Sequence, residues 1–277
     1  MRVFITGGTG YIGSATLRVL VEHGHDVVAA VRSEDAAAKV TAAGASAAIG
    51  DLADAAWLRE HLADSDGAIH LAHLVGEPYA VFADTVLQAY AGTTKPFIAT
   101  SGVWMWGDNT DIKETDPLLP PAIVADRPAI EQTILDGDNR SVIIHASVVY
   151  GNGGGLVGAL VGSRTDEGAV HLIGDGTQHW ATVHVDDLAD LYVLALESDA
   201  AVGRYLAASG HNPTVRQIGE ATGLPVEIGS VENTYERFGP EFGDALLLDE
   251  AGSGEKARSL GWEPHRPSPL DEAAAIA

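Results

Sequence analysis

The chain has 277 residues, 46% of them apolar, a net charge of −23 and no cysteine. That is the composition of a folded globular protein; it excludes disulfides, thiolate metal sites and cysteine nucleophiles, and its acidic balance opposes nucleic acid and anionic lipid, which are bound through clustered Lys and Arg. The longest apolar runs, such as 141–149, are too short to span a bilayer, and no cationic leader precedes the strand-like Val3-Phe4-Ile5. A cytoplasmic protein without a membrane or nucleic-acid partner is therefore expected, leaving a small-molecule substrate and a second copy of the chain, as a homodimer, as the partners to consider.

In chain order, β-rich runs at 2–6, 26–31, 45–49, 67–71, 96–100 and 141–149 alternate with helical stretches near 12–23, 34–43, 55–63, 79–91 and 128–135. This alternation predicts an α/β fold, a Rossmann-like doubly wound parallel sheet covered by helices. Gly24 follows the first helix where a terminating glycine belongs. Pro128 suits a first helical turn, where its missing N–H is not needed. Residues 151–155 form a glycine-rich loop, followed by a helix near 156–163 and a strand near 170–173. Leu188, Leu191, Tyr192 and Ala195 then share one helical face, with Asp186 or Asp187 available as the cap. The division expected is a dinucleotide-binding domain over 1–150, to which 177–208 returns, and a smaller substrate lobe over most of 151–277.

The strand Val3-Phe4-Ile5-Thr6 runs into Gly7-Gly8-Thr9-Gly10-Tyr11-Ile12-Gly13, and an apolar helix follows. Strand before and helix after is the context a dinucleotide turn requires. Gly7 permits the tight turn, Gly10 lets the backbone approach a pyrophosphate, and Gly13 lets helix and strand pack closely. Thr9, Tyr11 and Ile12 complete the loop that faces the anion. At the end of the second strand, an NAD site usually places Asp or Glu to hold the ribose 2′-hydroxyl. Here Val31 and Arg32 stand there. A guanidinium cannot accept from a hydroxyl but pairs well with a 2′-phosphate, so NADP(H) is favoured over NAD(H). Asp51 and Leu52, after the third strand, are placed to contact the adenine, with helix capping as the competing role for Asp51. Leu71, Ala72 and His73 end the fourth strand on the same side.

These features resemble the extended short-chain dehydrogenase/reductase family. The turn Thr6-Gly7-x-x-Gly10-x-x-Gly13 looks like that family's version. Further matches are Gly50-Asp51-Leu52, the run from Thr100 to Gly107, Glu114-Thr115-Asp116-Pro117-Leu118, Val148-Val149-Tyr150-Gly151, the run from Val183 to Ala189 and the run from Lys256 to Trp262. They occur in the family's order and cover nearly the whole chain. The resemblance implies a catalytic Ser or Thr with a Tyr-x-x-x-Lys pair, and here the pattern departs. Counting back from Glu131, the Lys position is Arg127 and the Tyr position is Ile123. Counting back from Gly107, the Ser/Thr position is Gly102, with Ser101 one residue early. His145 stands where an Arg is common, and no tyrosine lies between Tyr90 and Tyr150. The chain is thus similar to an atypical branch that keeps the cofactor site and lacks the usual proton relay.

Sites in doubly wound folds lie beyond the carboxyl ends of the strands. His73, Ser101, Trp104, Trp106, Arg127, Ser147 and Tyr150 are therefore the pocket candidates. Arg127 can hold the cofactor ribose or an anionic substrate group, but is too permanently charged to donate a proton. Ser101 can hydrogen-bond a substrate carbonyl, Ser147 the cofactor, and Tyr150 or His73 can carry a proton, each against a plainly structural alternative. No metal is expected: His23 and His25 flank the Gly24 turn on the wrong edge for the site, and no helical His-x-x-x-His pair with an acidic third ligand occurs. No Gly-x-Ser-x-Gly elbow supports hydrolysis. Three functions remain open: an NADP(H)-dependent reductase of a small carbonyl, imine or activated alkene; an NADP(H)-binding redox sensor without catalysis; and a sugar-nucleotide epimerase or dehydratase, which needs the missing base.

Overall fold

The computed structural model describes residues 1–266 and 268–276. Its strands are β1 (Arg2–Thr6), β2 (Asp26–Val31), β3 (Ser46–Ile49), β4 (Gly67–His70), β5 (Phe97–Gly102), β6 (Asn109–Ile112), β7 (Ser141–Ala146), β8 (Val148–Gly151), β9 (Val170–His171), β10 (Thr182–His184), β11 (Gly203–Ala207), β12 (Val226–Glu227) and β13 (Glu250–Gly252). Its helices are α1 (Tyr11–Glu22), α2 (Glu34–Ala42), α3 (Ala55–Ala63), α4 (Gly76–Tyr90), α5 (Arg127–Leu135), α6 (Gly155–Gly162), α7 (Val185–Glu197), α8 (Val215–Ala221), α9 (Val231–Phe238), α10 (Pro240–Leu246), α11 (Glu255–Ser259) and α12 (Leu270–Ile276). No helix of the described residues is long and apolar enough to cross a membrane.

The chain divides into two compact units. The first comprises Met1–Thr100, Asp126–Ile144 and Leu188–Tyr205; the second comprises Ser101–Ala125, His145–Asp187 and Leu206–Ala277. Residues 101–125 and 145–150, placed by sequence with the nucleotide-binding half, thus group with the second unit, and of 177–208 only 188–205 joins the first. Three of the five crossing points fall near the carboxyl ends of β5, β7 and β11; the other two fall just before α5 and in the first turn of α7.

The first unit is built on a seven-stranded sheet in the order β11-β7-β5-β4-β1-β2-β3. The ladders joining β3, β2, β1, β4 and β5 are all parallel. This is the doubly wound, Rossmann-like arrangement, whose strand order reverses between β1 and β4. Strands covered on both faces read as continuous apolar runs, and Val3, Phe4, Ile5, Val142, Ile143 and Ile144 are fully buried. One face packs Phe4, Leu58, Leu62, Tyr79, Phe82, Tyr90 and Phe97 into a single cluster with residues of α3, α4 and α5. Local signals set the helix ends. Gly24, at φ +79°, follows α1, Ser33 Oγ caps α2 by accepting from the Ala36 N–H, Asp54 caps α3, and Pro128 lies in the first turn of α5. Asp51 is therefore not the helix cap: its carboxylate accepts from the Ala53 N–H two residues on, a short turn that precedes the capping Asp54.

In the second unit β8 pairs with β10, β9 with β12 and β6 with β13. Val148, Tyr150, Leu160, Leu172, Trp180, Ile218 and Leu246 form its main core. The apolar run 141–149 is not one strand. It breaks at Ser147, whose N–H donates to the Ala207 carbonyl while the next N–H, of Val148, donates to that of Ala181. The backbone changes partners there, from β11 to β10, and no local residue signals it. Helix α7 begins at Val185, so Asp186 and Asp187 lie in its first turn instead of capping it. The His184 ring does the capping: Nδ1 accepts the Asp186 N–H at 3.1 Å. Asp187 is completely buried and its carboxylate accepts the N–H groups of His265 and Arg266 at 3.1 and 2.9 Å. Besides the four residues of the expected face, α7 buries Val185, Ala189, Val193 and Leu196, so it is packed on most of its circumference.

Candidate functional site

The first unit holds a cradle between the ends of β1 and β4. After Thr6 the chain turns at Gly7, with φ +73°, and the Gly10 N–H closes the turn on the Gly7 carbonyl at 2.9 Å. A Cβ on Gly7 would lie 2.5 Å from the Leu71 carbonyl carbon and 2.6 Å from the Ala72 nitrogen, so the turn rests directly on the backbone leaving β4. A Cβ on Gly13 would lie 2.0 Å from the Gly7 oxygen, which is how α1 comes so close to the turn. Gly10 differs: its nearest neighbour would be the Gly7 oxygen at 3.3 Å, and the position is exposed. No side chain caps α1 and no acid sits in its first turn. The amides at a helix start and the positive end of its dipole attract an anion. Thr9 and Tyr11 are exposed beside Gly10, and Ile12 is half-buried.

Beneath the turn lies a polar group that sequence reasoning passed over. Thr6 and His70 are partners in the β1–β4 ladder, and Thr6 Oγ1 stands 2.8 Å from His70 Nδ1. The same hydroxyl accepts the N–H groups of Leu71 and Ala72, both at 3.3 Å, so its own proton goes to Nδ1. The His70 ring is buried between Tyr79 and Phe82, with centroids 5.2 and 4.2 Å away. Burial, with the Arg127 charge adding to it, lowers its pKa to about 3. His70 is thus a neutral hydrogen-bonding strut that fixes the segment carrying Leu71 and Ala72. The signal available in the sequence was its place at a strand end opposite Thr6.

The other predicted residues of this unit are positioned as follows. Leu71 and Ala72 are half-buried, and His73 is exposed, with no hydrogen-bond partner among the described residues. Arg32 is exposed directly after buried Val31 and has no ion-pair partner among the described residues. Leu52 is half-buried against the sheet's core cluster, which ties part of its surface to packing. Arg127 opens α5, is half-buried, and likewise lacks an ion pair among the described residues. Its charge reaches inward, opposing protonation of His70 and favouring ionisation of Tyr79, whose pKa burial nonetheless pushes up. One turn on, the buried Glu131 is engaged by Arg204, with Nε 3.2 Å from Oε2.

The second unit holds the remaining candidates. Ser101 and Ser147 are buried, and neither hydroxyl has a hydrogen-bond partner among the described residues. Tyr150 is 1% exposed, and its hydroxyl donates to the Arg266 carbonyl. Burial raises its pKa, with the charges of Asp187 and Glu272 adding to the effect. A phenol so tied contributes to the packing of this unit. Trp106 is buried with its ring 4.5 Å from that of His145, whose Nδ1–H donates to the Gly102 carbonyl at 3.2 Å. Trp106 is therefore core, while Trp104 is half-buried and meets Phe242 edge-on at 5.7 Å. Ile123 lies half-buried in the 3₁₀ turn Ala122–Val124.

Comparison with known proteins agrees with this geometry. The chain is 32% identical over 302 residues to an uncharacterized protein of Schizosaccharomyces pombe, covering 100% of this chain and 99% of that one. It is 27% identical over 271 residues, 89% of this chain and 80% of the relative, to the 4-hydroxy-2-methyl-3-oxo-4-farnesyl-3,4-dihydroquinoline-1-oxide ketoreductase of Stigmatella aurantiaca. The crystal structure of human epimerase family protein SDR39U1 with NADPH has the same fold, with a TM-score of 0.77, 22% identity and coverage of 100% of this chain and 99% of that one. The model of the NAD dependent epimerase/dehydratase family matches residues 3–121 and 129–208, and the chain belongs to that family.

Proposed function

We propose that the chain is an NADP(H)-dependent oxidoreductase that reduces a small carbonyl, imine or activated alkene. The observation that carries this reading is the uncapped Gly7–Gly13 turn, open at Gly10 and followed across the sheet by Arg32, a guanidinium with no carboxylate partner among the described residues. These groups fit a dinucleotide: the α1 amides suit its pyrophosphate and Arg32 its 2′-phosphate. The similarity to a ketoreductase, and the NADPH in the structure of similar fold, support the same choice. Bound there, the nicotinamide supplies a hydride.

The chain's own contribution is chiefly positional. Thr6 and His70 hold the Leu71–Ala72 segment against the turn, and Arg127 supplies a fixed positive charge to a ribose or an anionic substrate group. Ile123 and Gly102 offer no hydroxyl, and Tyr150 is spent on Arg266. His73 is the exposed imidazole left to carry a proton. Substrates that bring their own activation, such as iminium ions and quinones, need the least acid help. The same missing hydroxyls favour the second reading, an NADP(H)-binding sensor without turnover, and they count against sugar-nucleotide epimerisation or dehydration.

The test is NADPH oxidation with a panel of quinones, imines, enones and plain ketones, beside calorimetric binding. Turnover is expected for the activated substrates, weaker for plain ketones, and reduced in His73→Ala. Tight NADPH binding without turnover on any of them replaces the enzyme with the sensor. Absence of NADPH binding refutes both.

A further inference from the structure

His23, Gly24 and His25 join α1 to β2 at the opposite end of the strands from the cradle. They lead into the start of β2, whereas Gly7 follows the end of β1, and the two strands run parallel from Arg2↔Asp26 to Thr6↔Ala30. The corner is well braced. The His23 N–H donates to the Val19 carbonyl, Gly24 takes φ +79°, and the His25 N–H returns to the Leu20 carbonyl at 3.1 Å. Two imidazoles leave it nearly parallel, their planes 16° apart and their centroids 6.5 Å apart. The third member of the group is Glu197, the last residue of α7 and 172 positions from His25. His23 Nδ1 and His25 Nε2 both meet one carboxylate oxygen, Glu197 Oε1, at 3.3 and 3.0 Å.

We propose that His23, His25 and Glu197 form a binding site for a divalent transition-metal ion. Their three ligand atoms lie within 4.8 Å of one another. Around tetrahedral zinc, with bonds of about 2.05 Å, neighbouring ligand atoms stand about 3.3 Å apart. Two edges of the triangle are already close to that spacing, and a small side-chain rotation supplies the third. Two imidazole nitrogens with one carboxylate oxygen suit zinc, cobalt, nickel or copper; magnesium and calcium prefer all-oxygen shells. The His25 side chain is 6% exposed and serves as the anchor, while His23 and Glu197 are 48% and 41% exposed and leave the outer coordination positions to water. An ion held here clamps the α1–β2 corner to the end of α7 and stabilises the first unit.

The experiment uses the full chain stripped with a chelator. Zn²⁺ is titrated calorimetrically, and Co²⁺ is followed by the visible absorption of a tetrahedral complex. The expected result is one ion per chain at micromolar affinity or tighter, a higher melting temperature with metal, and no response to Mg²⁺. Glu197→Gln and His23→Ala should each weaken Zn²⁺ binding at least about tenfold and remove the Co²⁺ band. His211→Ala, a histidine of the second unit, should leave both unchanged. Absence of saturable Zn²⁺ binding, or undiminished binding in the His23→Ala/Glu197→Gln double variant, overturns the proposal.

Discussion

Gly10 and Gly13 lie three residues apart in one motif, yet the same added methyl group should do opposite things to them. At Gly13 a Cβ would sit 2.0 Å from the Gly7 oxygen, 2.7 Å from its carbonyl carbon and 3.1 Å from the Gly8 Cα. The first distance is about 1.5 Å short of normal contact. Every obstacle is backbone, so no side chain can rotate away and α1 must lift off the turn. Overpacking of this kind costs about 1–3 kcal/mol and occasionally more, against which alanine gains about 1 kcal/mol of helix propensity. A net loss of up to about 2 kcal/mol is expected, a fall of up to about 4–8 °C in Tm for a chain of this size. At Gly10 the backbone is extended, at φ −78° and ψ 175°, and the Cβ would meet only the Gly7 oxygen at 3.3 Å. Gly10→Ala should therefore change stability by less than about 1 kcal/mol. Its methyl group would instead project where the proposed pyrophosphate approaches, lowering NADPH affinity at least about tenfold, or about 1.4 kcal/mol. Calorimetric melting and titration of both variants separate the two effects. A Gly10→Ala protein that binds NADPH normally, or that melts as low as Gly13→Ala, would refute this assignment of the turn.

Further outcomes follow from single side chains. Arg32→Ala should weaken NADPH by about 10- to 100-fold, the worth of a charged hydrogen bond, with little effect on NADH; equal losses for both would remove Arg32 from the 2′-phosphate. Glu250 is fully buried with neither oxygen hydrogen-bonded among the described residues, and burial, helped by Asp108 and Asp249, holds its pKa well above the usual carboxylate range. The folded state then keeps a proton that the unfolded chain releases, so stability should fall as pH rises past the unfolded value near about 4.3, by up to about 1.4 kcal/mol per pH unit, until the folded value is reached. Glu250→Gln should remove that slope when urea unfolding at about pH 5 is compared with unfolding at about pH 7; identical slopes in the two proteins would contradict it. Tyr150→Phe should lose about 1 kcal/mol of stability with its bond to the Arg266 carbonyl and leave turnover intact; lost turnover at full stability would restore Tyr150 as an acid.

What the sequence determined by itself was everything carried by neighbours along the chain. The Gly7–Gly13 turn, the end of α1 at Gly24, Pro128 in the first turn of α5 and the βα alternation each depend on residues within a few positions, and backbone preference acts at that range. The family pattern was legible for the same reason, and so was the substitution of Ile123 and Arg127 for its Tyr and Lys. Only the tertiary structure decided how distant segments satisfy one another. The break of 141–149 at Ser147 follows from a change of partner between β11 and β10. His70 becomes a neutral strut because burial disfavours its charged form and Thr6, 64 positions earlier, meets its ring in the core. Tyr150 is tied into the packing because its hydroxyl donates to the Arg266 carbonyl, 116 positions later. Glu197 joins His23 and His25 because the end of α7 meets the α1–β2 corner. A polar group that leaves water must find a partner, and the identity of that partner is a property of the packed fold, which no local stretch of sequence contains.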